Sequence, residues 1–262
     1  MSANNTFQMV NERGWRRGLG NLLRAEMGNW WKTKTWWMQA LIWTGVINLT
    51  IASVVWGSPE GAPESVALYV LFSCLFPTIA VIIILQDAVI GEKESGTAAW
   101  ILSKPVSRTA FIVAKLIAHS INIFVSMTLL PGVVAYIQIS LAGGEWLSPL
   151  NFIAGLMVIW LYLLFFLTLT LMLGVLYDQR GAVIGIPLAI AFGSQMLLAL
   201  IPALSFLLPW RLAVGAENES LSVAESVIMG VAPFSWVPVL SVITFVAIFI
   251  ITAIRKFQNE EF

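Results

Sequence analysis

The chain has 262 residues, 59% of them hydrophobic and 11% charged, with a mean hydropathy of +0.87; a soluble domain carries about a quarter charged residues, so a soluble globular protein is excluded. Its 14 basic and 14 acidic side chains cancel, which leaves none of the basic excess that a nucleic-acid binder needs. The single cysteine, Cys74, excludes an intrachain disulfide and a cysteine zinc cluster.

Ahead of the first apolar run, Trp15, Leu19, Leu22, Leu23, Met27 and Trp30 recur every three or four residues, with Arg17, Asn21, Arg24 and Lys32 largely opposite them. The pattern predicts an amphipathic helix at the membrane surface, apolar face in the headgroup boundary and cations toward anionic lipid. The competing reading is a flexible basic tail, which Gly18, Gly20 and Gly28 favour. The first 34 residues contain no apolar core of a cleavable signal peptide, so the run that follows is read as a signal anchor.

A hydrocarbon layer about 30 Å thick takes about 20 apolar residues at helical rise. Charge-free runs of that length extend over 35–59, 65–86, 116–144, 146–177, 181–210 and 226–254. Backbone in lipid must be satisfied internally and no alternating barrel pattern is present, so these predict six transmembrane helices of an all-α integral membrane protein. The organisation expected is a surface segment over 1–34, a six-helix domain over 35–254 with a connecting loop at 87–110, and a tail over 255–262. All lysines and arginines except Arg211 flank one side of this arrangement, while Glu60, Glu64, Glu145, Glu217, Glu219 and Glu225 mark the other. Positive residues stay on the cytoplasmic side, which places both termini there; the membrane expected is a plasma or inner membrane of prokaryotic type.

The third run carries Lys115, His119, Asn122 and Ser126 on one helical face, and Pro131-Gly132 predicts a kink in it. Such a stripe faces lipid only at high cost. One reading is hydrogen bonding between helices with Lys115 snorkelling to the interface; the other is the polar lining of a pathway. The fifth run carries Gly181, Gly185, Ala189 and Gly193, a small-residue ridge that lets helices approach closely, within one chain or between two. Between the fifth and sixth runs, Ser222 with Glu225 forms a capping-box pattern that predicts a short re-entrant or surface helix.

The loop between the second and third runs is the most informative segment. It starts with acidic Asp87, Glu92 and Glu94, continues through Gly96-Thr97 into Trp100-Ile101-Leu102, and closes on Pro105. Proline disfavours helix at the residue before it, so a short helix here ends near Ser103. An apolar cluster in a connecting loop predicts a docking surface that transmits force from a soluble partner.

This loop resembles that of the membrane-spanning permease subunits of ABC transporters of the type 2 exporter class. Their pattern is Glu-x-Glu-x-Gly-Thr, then Leu-Ser-x-Pro-x-Ser-Arg, then a Gly-Lys opening the third helix. The chain matches at Glu92, Glu94, Gly96, Thr97, Leu102, Ser103, Pro105, Ser107, Arg108 and Lys115, with Ala114 in place of the glycine and no acidic residue at 98–100. The resemblance implies a coupling helix that contacts a separate nucleotide-binding ABC ATPase subunit. It also implies a dimer with a second or homologous permease copy whose interface is lined by spans two and five, and outward movement of substrate through that interface. On this reading the chain binds no cofactor, and ATP and Mg belong to the partner subunit.

Gly91-x-x-x-x-Gly96-Thr97 superficially follows a phosphate-binding loop, but threonine stands where lysine is required and the surrounding strand and helix are missing. An intramembrane enzyme needs converging titratable groups, and the charge-free runs offer only His119. No zinc-binding His-Glu-x-x-His motif is present, and no metal site is expected. The alternatives kept beside a transport subunit are a non-transporting anchor or assembly factor and an intramembrane enzyme.

Overall fold

The computed structural model describes residues 13–55, 62–193, 201, 207–215, 221–231 and 235–259, and among them every regular element is helical. The amphipathic run forms α1 (Leu19–Lys32), shorter than its sequence pattern. Trp15 falls in a separate turn, Gly14–Arg16, because Gly18 takes a left-handed φ of 82° between the two. The apolar face of α1 is half-buried on the start of the third span instead of lying wholly against lipid.

Next come α2 (Thr35–Val55) and α3 (Ala62–Gln86), which runs on through a π turn, Asp87–Gly91, and one further turn, Glu92–Glu94. A short helix, α4 (Thr97–Leu102), precedes α5 (Arg108–Gly143). After α5 come α6 (Pro149–Leu176), α7 (Arg180–Phe192), α8 (Trp210–Ala213), α9 (Val223–Met229) and α10 (Val237–Gln258). Among the described residues five helices are long and apolar enough to cross a membrane: α2, α3 with its extension, α5, α6 and α10.

The fifth expected span departs from the sequence reading. Its described helix, α7, stops at Phe192 with Gly193 as its C-cap, and 194–200 and 202–206 lie outside the described residues. A straight helix would hold Ile190 and Trp210 about 30 Å apart, yet the Trp210 indole donates to the Ile190 carbonyl at 2.8 Å. The run expected over 181–210 is therefore not one straight helix, and among the described residues five of the six expected spans are of crossing length, with α7 a shorter apolar helix. The sixth span also starts later, at Val237, because Ser226 belongs to α9. There the expected capping box forms: Ser222 accepts from the Glu225 amide at 3.2 Å and the Glu225 carboxylate accepts from the Ser222 amide at 2.5 Å.

The α6 helix is the axis of the bundle, buried along most of its length. Its Phe165 packs edge-on against Phe245 and Phe249 of α10, with centroids 6.1 and 5.4 Å apart, and its Phe152 stacks on Tyr69 of α3 at 5.7 Å. In α5 the irregularity expected at Pro131 appears as a π turn, Phe124–Leu129, just ahead of it. Proline has no N–H to return to the carbonyl four residues back, and widening the preceding turn accommodates the gap. Gly132 then admits the Tyr69 hydroxyl and Leu156, which a Cβ would meet at 2.9 and 2.7 Å.

The α9 helix lies so close to α6 that a Cβ on Gly155 would come within 2.2 Å of Ile228. Gly155→Val is expected to lower the melting midpoint of the detergent-solubilised protein, at a cost of about 1–3 kcal/mol for overpacking. Adding Ile228→Ala should restore part of the loss, as followed by tryptophan fluorescence on heating.

Candidate functional site

Consecutive helical residues point about 100° apart, so the tripeptide Glu92-Lys93-Glu94 at the end of the α3 extension reaches three different elements. Glu92 accepts from the Lys115 ammonium of α5 at 2.6 Å, and the same ammonium donates to Glu26 of α1 at 2.9 Å. The Lys115 side chain is 1% exposed, against 25% for Glu92 and 22% for Glu26, so the lysine does not snorkel as expected but sits inside a carboxylate clamp. Lys93 donates to the Val175 carbonyl at the end of α6 at 3.2 Å and pairs with Asp178 at 3.4 Å. Glu94 receives two donors of Arg180 at the start of α7, the closer at 2.6 Å, and Arg180 also lies 3.6 Å from Asp87. The Arg180 pairs are exposed on both partners, hence screened by water and salt, whereas Lys93 is largely buried and only its partner Asp178 is exposed.

Beyond Glu94 the chain reverses at Gly96, whose φ of 71° suits glycine, and enters α4. The Thr97 hydroxyl shares a 2.9 Å bond with Ser95, and the Ser103 hydroxyl donates to the Trp100 carbonyl at 2.8 Å as the helix closes, where the proline argument places its end. Ala98 is buried and Ile101 and Leu102 are half-buried on the core, while Trp100 is 63% exposed with the Lys104 ammonium 3.2 Å above its ring. Of the apolar cluster expected to dock a partner, Trp100 alone stands clear of the bundle.

Past exposed Pro105 the loop is sewn to both ends of the chain. Ser107 caps α5 by accepting from the Ala110 amide at 3.0 Å, its own amide donates to the Arg17 carbonyl at 2.9 Å, and its hydroxyl donates to the Trp15 carbonyl. Arg108 donates to the Gln258 carbonyl at 2.7 Å, Gln258 donates to the Thr109 hydroxyl at 2.7 Å, and Phe111 stacks on Phe257 at 5.2 Å. The remaining third-span stripe faces inward: Asn122 and Ser126 are buried, and Ser126 bonds back to the Asn122 carbonyl at 2.8 Å. His119 Nε2 and Asn122 Oδ1 are buried without a hydrogen-bond partner among the described residues.

The small-residue ridge of α7 faces outward. Gly181, Gly185 and Ala189 are exposed, and no described atom lies within 4 Å of a Cβ placed on either glycine; Gly193 is the helix cap. Glu26, Asp178 and the role of Arg180 are absent from the sequence reading of the site. A signal for Glu26 was nevertheless present, since it is a carboxylate set within the apolar stripe of Leu22, Leu23, Met27 and Trp30.

A connecting loop braced against α1, α5, α6, α7 and α10, on a bundle with five full-length spans, is the setting in which a family comparison carries weight. The model of the ABC-2 family transporter protein matches residues 31–262. The chain belongs to the ABC-2 transporter family. It is thus a multi-pass membrane protein and a permease subunit of an ABC transporter. Comparison with curated proteins gives no match. In this ABC-2 permease the match takes in the whole 92–115 segment but leaves most of α1, with Glu26, ahead of it.

Removing one member of a buried ion pair strands its partner and costs about 3–5 kcal/mol. Lys115→Met is expected to lower the melting midpoint sharply, and combining it with Glu26→Gln and Glu92→Gln should recover much of the loss. Glu94→Gln, at the exposed pair, should leave the midpoint nearly unchanged in the same detergent melts.

Proposed function

We propose that this permease works as a dimer driven by separate ATP-hydrolysing subunits, which dock on α4 and rock the two bundles to move substrate outward. The observation that carries the reading is the exposed Trp100 on a six-residue helix whose two flanks are tied into the bundle. A push at Trp100 reaches α5 and α1 through Glu92, α7 through Glu94 and α10 through Arg108. Glu92 and Glu94 shape the loop from within, Gly96, Thr97, Leu102 and Ser103 form and seat its helix, and Pro105, Ser107 and Arg108 fix its exit. ATP and Mg are held by the partner, and both termini face the same cytoplasmic compartment as the docking loop, in the plasma or inner membrane.

Two features support the dimer and the cargo class. The outward ridge of Gly181, Gly185 and Ala189 on α7 has the small-residue surface that close helix contact between copies uses. The apolar character of the spans favours an amphipathic or lipid-like substrate.

The test is affinity purification of the tagged chain in mild detergent, followed by mass spectrometry and an ATPase assay of the eluate. A separate ATPase subunit should be recovered in fixed proportion. Trp100→Glu should reduce that recovery by at least about tenfold, the loss expected of one interface anchor, while the melting midpoint of the permease stays constant. Full recovery with Trp100→Glu overturns the docking site. Permease recovered without nucleotide turnover, even after crosslinking in the membrane, favours a non-transporting anchor or assembly factor.

A further inference from the structure

The α1 helix is two-sided in a way the transport reading does not use. Leu19, Leu22, Leu23, Met27 and Trp30 are half-buried on the α5 side, and Glu26 among them reaches Lys115. On the other side Arg24, Trp31 and Lys32 are exposed, and exposed Arg17 and Lys34 flank the two ends of the helix. Among the described residues Arg17, Arg24, Lys32 and Lys34 form no ion pair, and the carboxylate of Glu26 is engaged with Lys115. Trp31 packs on Trp30 and Trp36, with centroids 5.4 and 5.1 Å apart, so indoles lie beside these cations where α2 enters the bilayer.

Unneutralised cations next to indoles, at the start of a spanning helix, match the headgroup layer of an acidic leaflet. Indoles settle at that depth, and each lysine or arginine near such a surface strengthens attachment about fivefold. What makes the contact more than an anchor is the wiring behind it. The same helix holds Lys115 jointly with Glu92 at the root of the loop, and the turn before it carries the Trp15 and Arg17 carbonyls that accept from Ser107 at the loop's exit. Gly18 lies against Val106, which a Cβ there would meet at 2.8 Å. One end of the 92–107 loop is thus attached to α1 and the other to the turn that leads into it.

We propose that α1 binds anionic phospholipid headgroups through Arg17, Arg24, Lys32 and Lys34, and that this binding orders the 92–107 loop through Glu26–Lys115–Glu92 and the Ser107 bonds. The membrane surface thereby sets how stiffly the loop is presented. The inference stands on this geometry whether or not an ATPase docks there.

The full-length chain is placed in nanodiscs of phosphatidylcholine with or without phosphatidylglycerol, and amide hydrogen exchange is followed over 97–107. Phosphatidylglycerol should slow exchange there about fivefold, the factor of one cation contact. Changing Arg24, Lys32 and Lys34 together to Gln should abolish both the response and the preference for spin-labelled phosphatidylglycerol over phosphatidylcholine. Glu26→Gln, nearly isosteric, should keep the lipid preference and weaken the loop response, the Ser107 bonds carrying what remains, and Glu26→Asp should keep both. Equal exchange in the two lipids, an undiminished response in Glu26→Gln, or a lost response in Glu26→Asp overturns the proposal. So does a full response to soluble glycerol phosphate in pure phosphatidylcholine, which would assign the site to small anions. Because the chain is measured alone, these outcomes are independent of whether Trp100 recruits an ATPase.

Discussion

Burying the Lys115 ammonium is the constraint on which the loop end of the bundle depends. An ammonium taken out of water costs several kcal/mol unless oppositely charged groups close around it, and here Glu26 and Glu92 do so from two sides. The three residues are far apart in sequence, so one side chain's electrostatic need holds the surface helix, the end of the second span and the third span in a single arrangement. The neighbouring contacts of Gly18 with Val106 and of Ser107 with the Trp15 and Arg17 carbonyls are consistent with that placement.

The loop is held unequally on its two flanks. Toward α1 and α5 its tie is buried and carries two charge-assisted bonds to one ammonium. Toward α6 it is held by Lys93 at the Val175 carbonyl, but toward α7 its ties, Glu94 to Arg180 and Arg180 to Asp87, end on side chains open to solvent, where exchange with water is cheap. A load applied at α4 therefore meets a firm side and a yielding one. The yielding side opens onto α7, the helix whose small-residue ridge is exposed and which ends at Phe192.

Much of this was legible in the chain because it depends on local chemistry. Charge-free runs located the spans, Pro105 marked the end of α4, and Ser222 with Glu225 announced their capping box. What escaped depends on contacts between distant residues. Lys115 lies near the end of an apolar run, where snorkelling is the economical expectation, and its carboxylates stand 89 and 23 residues away. Hydropathy treats 181–210 as uniform, whereas the indole of Trp210 returning to the Ile190 carbonyl is a tertiary event. The α9 helix is apolar enough to be counted with the sixth span until its cap and its packing on Gly155 separate it.

The π turn Asp87–Gly91 stands immediately before Glu92. A π turn holds one residue more than an α turn, so each residue beyond it occupies the angular place its predecessor would have in an unbroken α-helix. Tightening those five residues to α geometry would swing Glu92 about 100° around the axis and bring Gly91 opposite the ammonium of Lys115. The hydrogen-bond register at the end of the second span and the charge state of the cavity around Lys115 are therefore one choice: a wide turn gives the lysine its second carboxylate, and a regular turn gives it a glycine.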